Sequence, residues 1–136
     1  NKEEMSKSLL ALLNDDKLYV SGEGILSALN HEDGNIFWQQ NFDTPDISSP
    51  AGGKDFVAVV STVDKLYFVD DQNGDVIFGR YVRGGSFGDP IIVDNFLHVL
   101  ANTGRLYSFK FKELPPKKER EIKKTASLKK SRLKKK

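Results

Sequence analysis

Between Leu9 and Phe111 the chain alternates short apolar blocks with polar, turn-forming clusters. Blocks such as Phe56-Val57-Ala58-Val59-Val60, Leu66-Tyr67-Phe68-Val69 and Val76-Ile77-Phe78 are rich in β-branched and aromatic residues, which suit a pleated surface. Nothing before residue 113 repeats at helical spacing. The separators carry turn chemistry. Asp33-Gly34 and Asn73-Gly74 predict tight hairpins with positive φ, and Asp15-Asp16, Asp94-Asn95 and Thr103-Gly104 predict other turns.

The blocks recur with a period of 40 residues and no gaps. Leu26, Leu66 and Leu106 coincide, as do Gly34 and Gly74, Pro50 and Pro90, and Tyr67 and Tyr107. The same register aligns Tyr19 with Val59 and Val99, Val20 with Val60 and Leu100, and Leu29 with Val69 and Phe109. Each unit reads as an antiparallel meander of about four strands. Near-continuous apolar strands, Phe56 to Val60 and Phe96 to Leu100, imply burial on both faces, which radial stacking of units supplies. A repeat of about 40 residues with four strands is the signature of a propeller, whereas a β-sandwich carries no strict repeat.

The expected architecture is therefore all-β: a partial β-propeller over residues 8–112, with blades at about 8–47, 48–87 and 88–112. The third unit provides Ile91 to Val93, Phe96 to Ala101 and Arg105 to Phe111, then stops where a fourth strand is due. Rings close with 4 to 8 blades, so the expected ring is open. It is an arc of something larger or is completed by other chains, and its open edges favour self-association or docking of remaining blades.

The stretch Pro90-Ile91-Ile92-Val93-Asp94-Asn95-Phe96-Leu97-His98-Val99-Leu100, followed by Gly104-Arg105-Leu106-Tyr107-Ser108-Phe109, resembles the WD40-like blades called PQQ-like repeats. Their pattern runs Pro, apolar pair, turn, apolar pair, Gly and Leu-Tyr-x-apolar, then Gly and an apolar-aromatic strand. Ile25 to Trp38 is similar to its second half, with Gly34 in place and Trp38 closing it. Among such families the chain is most similar to the C-terminal blades of the BamB family of outer-membrane assembly factors, because the last unit ends directly after the Leu106-Tyr107-Ser108 strand.

That resemblance implies a non-catalytic scaffold whose partners are β-barrel assembly machinery proteins, located in the periplasm at the outer membrane. It also implies that the missing outer strand of the last blade comes from the N-terminal end of the propeller. It assigns no partner-binding residue. This chain departs from the family pattern in lacking the lipidated cysteine and in carrying a Lys-rich tail.

Composition sharpens the division of the chain. Of 136 residues, 38% are hydrophobic and 29% charged, and no apolar run approaches the ~20 residues of a membrane-spanning helix. Asn1 to Ser8 is polar, so no export signal is expected within it. The absence of cysteine removes disulfides, thiolate zinc sites and thiol catalysis. The net charge of +2 conceals an asymmetry: residues 1–112 hold 10 Lys/Arg against 16 Asp/Glu, and residues 113–136 hold 11 against 3. Pro115-Pro116 ends regular pairing, so 113–136 is expected to be a basic tail, disordered or weakly helical. Phosphate contacts by its lysines give the alternative function, binding of nucleic acid or anionic membrane, and the plainer reading is a solvated tail.

Four features could carry chemistry. Trp38 could stack on a ligand, but the resemblance to PQQ-like repeats, in which an aromatic closing the last blade strand packs between blades, implies packing between units. Asp71-Gln72-Asn73-Gly74-Asp75 has calcium-loop composition, yet its glycine comes too early and Val82 stands where a bidentate Glu belongs, so a hairpin turn is expected. Gly84-Gly85-Ser86-Phe87-Gly88 leads into Asp89-Pro90 rather than a helix, which favours an inter-unit connection over a phosphate cradle. His31 and His98 lie far from any partner at ligand or triad spacing and are read as structural. Quinone-dependent dehydrogenases that share the repeat need a dense ligand shell, calcium and commonly adjacent cysteines. No catalytic, cofactor-binding or metal-binding residue is therefore expected, no cofactor is implied, and partner-binding residues are left unassigned.

Overall fold

The computed structural model describes residues 10–14 and 16–112, the first five by backbone alone. The tail at 113–136 lies outside the described residues. Eleven strands and no helix are present among those described. They form three antiparallel meanders in chain order. The first sheet comprises β1 (Leu10–Asn14), β2 (Lys17–Gly22), β3 (Ile25–Asn30) and β4 (Ile36–Asn41). The second comprises β5 (Ala51–Gly52), β6 (Phe56–Val60), β7 (Lys65–Asp70) and β8 (Val76–Tyr81). The third has three strands, β9 (Ile91–Val93), β10 (Phe96–Leu100) and β11 (Leu106–Lys110).

The sheets stack face to face through two apolar seams. In the first seam Tyr19, Leu26, Ala28 and Trp38 of sheet one meet Val57, Val59 and Val69 of sheet two, with Phe42 and Ile47 of the connection packed in. In the second, Phe56, Ala58, Val60, Leu66 and Phe68 of sheet two meet Leu97 and Val99 of sheet three, with Tyr107 and Phe109 alongside. Side chains alternate across a strand, so β6 supplies both seams and all five of its residues are buried. Burial on both faces was the expectation from its unbroken apolar run.

Expectation and structure differ at β10. Leu97 and Val99 are buried, but Phe96 and Leu100 on its other face are exposed. Sheet three is the last in the stack, so only one of its faces has a neighbour among the described residues.

A second difference concerns register in β2. Leu66 pairs with Val60 and Leu106 with Leu100, but Leu26 pairs with Ser21 rather than Val20. The hairpin joining β2 to β3 is thus one residue shorter than its counterparts and turns on Glu23-Gly24, both with positive φ (52° and 77°). A side chain on Gly24 would collide with the Thr44 carbonyl oxygen, so glycine is required by space as well as by φ. A one-residue slip inverts the faces of a strand. Tyr19 therefore points toward the following sheet, whereas Val59 and Val99, aligned with it by the gapless repeat, point toward the preceding one. Val20 is the true counterpart of Val59 and Val99.

The turns at Gly34 and Gly74 have the positive φ expected of them (75° and 80°), but they are not two-residue hairpins. Each is a longer loop in which the glycine N–H donates to a carbonyl four residues earlier, Asn30 (2.8 Å) and Asp70 (3.0 Å). Side chains complete both loops: Asn30 Oδ1 accepts from Glu32 N–H, Asp33 from Asn35, Asp70 from Gln72 and Asn73 from Asp75. Asp94-Asn95, by contrast, is a two-residue turn, with Val93 opposite Phe96 and φ of 52° at Asp94.

Candidate interaction surface

Trp38 is held between sheets. Its indole Nε1–H donates to the Asp71 carbonyl at 3.1 Å, where the Lys17 ammonium (3.0 Å) and Tyr19 hydroxyl (3.4 Å) also donate. Its six-membered ring lies on the α-carbon of Gly74, so close that a Cβ there would come within 2.5 Å of it. The tryptophan is thus a peg from sheet one closed over by the β7–β8 turn of sheet two. A register shift between Ala28 and Leu29, matched at Phe68 and Val69 of the next unit, aims this part of the strand pair. Phe78 occupies the matching slot in sheet two and stacks on Phe68 at 4.4 Å.

The other sequence candidates take structural positions. Asp71 to Asp75 form the turn that receives Trp38. Gly84 to Gly88 form the connection from sheet two to sheet three, laced to the β10–β11 loop: Asn102 N–H donates to Gly85 O, Asn102 Nδ2 to Gly84 O, and Phe87 N–H to Asn102 Oδ1. Ser86 Oγ donates to Leu100 O at 2.7 Å. Neither histidine meets a cluster of candidate ligands, since no such group of three occurs among the described residues. His31 lies 4.0 Å from Asp16 at the surface, and His98 shares a 2.8 Å hydrogen bond with Ser108 while its ring stacks beside Phe96.

Two open surfaces stand out among the described residues. The first is the outer edge of β11. In sheets one and two the corresponding strands, β3 and β7, are covered by β4 and β8; β11 pairs only with β10 among the described residues. A strand edge of this kind presents backbone donors and acceptors that another extended segment can satisfy. Beside its end, Phe56, Phe68, Ile77, Phe78, Phe111 and Lys112 line an apolar cleft, with Phe111 edge-on to Phe56 at 5.1 Å.

The second open surface is the far face of sheet three. Cross-strand pairing places Ile91 and Val93 with His98 and Phe96, and Leu100 with Leu106, on one side. Leu26 and Leu66 are fully buried at the equivalent positions, while Leu106 is 62% exposed. Ile91, Val93, Phe96 and Leu100 are exposed with it. Reading the sequence did not single out this patch, because apolar alternation says which residues share a face and not whether a neighbour covers it.

Stacked four-stranded meanders with a three-stranded final unit, unclosed among the described residues, define an open β-propeller segment. Comparison with known proteins narrows this. The family described as outer membrane protein assembly factor BamB matches residues 8–114. The chain belongs to that family. The structure of BamB from Moraxella catarrhalis superposes with a TM-score of 0.65 at 23% identity, covering 74% of this chain and 32% of that one. The chain thus spans about a third of that protein's length. Two computationally designed proteins share the fold: Ika4 (TM-score 0.68, 13% identity, 75% of this chain and 64% of that one) and Ika8 (0.66, 13%, 74% and 32%). No curated protein matches significantly.

Proposed function

We propose that this chain is a non-catalytic scaffold segment that assists assembly and insertion of β-barrel proteins into the outer membrane, acting in the periplasm at that membrane. Its partners are proteins of the β-barrel assembly machinery. The propeller segment occupies residues 8–112, and 113–136 forms a basic appendage. Family membership supports the setting, and the edge of β11, unpaired among the described residues, is the single observation that carries the interaction. Strand addition at this edge would rest on backbone hydrogen bonds, which depend little on side-chain charge.

The alternative reading, capture of nucleic acid or anionic membrane, rests on the charge of residues 113–136. The two differ in salt dependence, because phosphate and headgroup contacts weaken steeply as ionic strength rises. The test measures affinity for assembly-machinery proteins, anionic vesicles and DNA, with and without 113–136, at low and high salt. Salt-tolerant binding to the assembly proteins that survives removal of 113–136 supports the scaffold. Binding confined to vesicles or DNA, and lost with the tail, replaces it with the alternative.

A further inference from the structure

We infer that Asn73-Gly74 is a latent modification site, at which the asparagine side chain deamidates through a cyclic imide, and that Trp38 of the preceding sheet holds it inert. Asn73 is the one asparagine of the chain followed by glycine. In that pairing the glycine nitrogen can reach the side-chain carbonyl, because no Cβ stands in the way. The Gly74 nitrogen gives up its proton to water and attacks Cγ of Asn73. A nitrogen–carbon bond forms, the Cγ–Nδ2 bond breaks, and ammonia leaves. Water then opens the imide at either carbonyl, giving aspartate or isoaspartate.

The turn primes one reacting group and withholds the other. Asn73 is exposed, and its Oδ1 accepts from Asp75 N–H at 2.9 Å, which polarises the carbonyl under attack. Gly74 is buried, and its N–H donates to the Asp70 carbonyl at 3.0 Å, so the nucleophile is occupied until the loop opens. Opening is resisted from sheet one. The six-membered ring of Trp38 lies on the Gly74 α-carbon, and its indole N–H, the Lys17 ammonium and the Tyr19 hydroxyl all donate to the Asp71 carbonyl at 3.0 to 3.4 Å. Closing the imide draws the Gly74 nitrogen toward Asn73 Cγ, and so moves a backbone on which a buried indole rests. The guard is therefore packing between sheets one and two, and not the local sequence. The two products have different consequences. Aspartate already occupies the matching turn, where Asp33 accepts from Asn35 N–H at 2.9 Å, so conversion of Asn73 to aspartate leaves the loop intact. Isoaspartate places an extra methylene in the main chain beneath the Trp38 ring, and loosens the first seam.

The test incubates the full chain, native and unfolded in guanidinium chloride, and follows the peptide bearing Asn73 by mass spectrometry, with isoaspartate read by enzymatic methyl transfer. A reaction that waits on local opening runs at a rate set by the open population, so the native rate should lie about tenfold or more below the unfolded one. Trp38→Ala should recover most of that difference in the folded chain. Leu97→Ala, a core truncation in the second seam, should keep the slow rate. Circular dichroism checks that both variants are folded; should either lose its strand content, Trp38→Phe or Val99→Ala takes its place. The purified isoaspartate form should unfold at lower denaturant than the parent, and Asn73→Asp at the parent midpoint. A native rate equal to the unfolded rate overturns the proposal. So does a Trp38 substitution that brings no acceleration, or an equal acceleration by Leu97→Ala, which would assign the protection to global stability. None of these outcomes depends on the scaffold reading.

Discussion

The glycines at 34 and 74 occupy matching turns with nearly the same φ (75° and 80°), yet their surroundings differ. A Cβ on Gly34 would meet nothing within 4 Å, whereas one on Gly74 would come within 2.5 Å of the Trp38 ring. Gly34→Ala should therefore cost only the backbone penalty of a left-handed residue, about 1–2 kcal/mol. Gly74→Ala adds the displacement of a buried aromatic that cannot swing aside, about 1–3 kcal/mol more, for a total of about 2–5 kcal/mol. The change in unfolded-chain entropy is common to both and cancels in the comparison. Urea titration followed by tryptophan fluorescence measures the difference, since Trp38 is the single tryptophan. Combining Gly74→Ala with Trp38→Phe, followed by circular dichroism because that variant carries no tryptophan, should recover part of the loss, since the smaller ring vacates the contact. Equal costs at the two glycines, within about 0.5 kcal/mol, would refute the seating of Trp38 on the neighbouring turn.

The seam and the open face should also separate by mutation: Leu66→Ala is expected to cost about 2–5 kcal/mol and Leu106→Ala less than about 1, in the same titration of the monomeric chain. Ser21 is buried with its hydroxyl lacking a partner among the described residues, in the slot that Val60 fills one unit later, so Ser21→Val should raise stability by about 1 kcal/mol, read as a higher urea midpoint. Ser61 Oγ accepts from the backbone N–H groups of Val63, Asp64 and Lys65, and Ser61→Ala should destabilise by about 1–3 kcal/mol, with faster amide exchange at those residues.

The strand blocks, the repeat and the stacking that the unbroken run Phe56 to Val60 demands are all legible in the order of residues. Those are local or periodic properties: a strand buried on both faces needs apolar residues at every position, and a repeated structure repeats its spacing. Placement of Trp38 between units was legible from the resemblance to PQQ-like repeats, in which the closing aromatic packs between blades. Tertiary structure alone decided the register of β2, because a gapless period assigns Val20 and Val60 to one place while the shorter Glu23-Gly24 hairpin, fitted against Thr44, turns Tyr19 to the other face. It also decided that Leu106 and Leu100 are surface although their repeat positions mark them as core. Burial belongs to a pair of surfaces, and the chain specifies the face of sheet three without specifying, among the described residues, the neighbour that covers it.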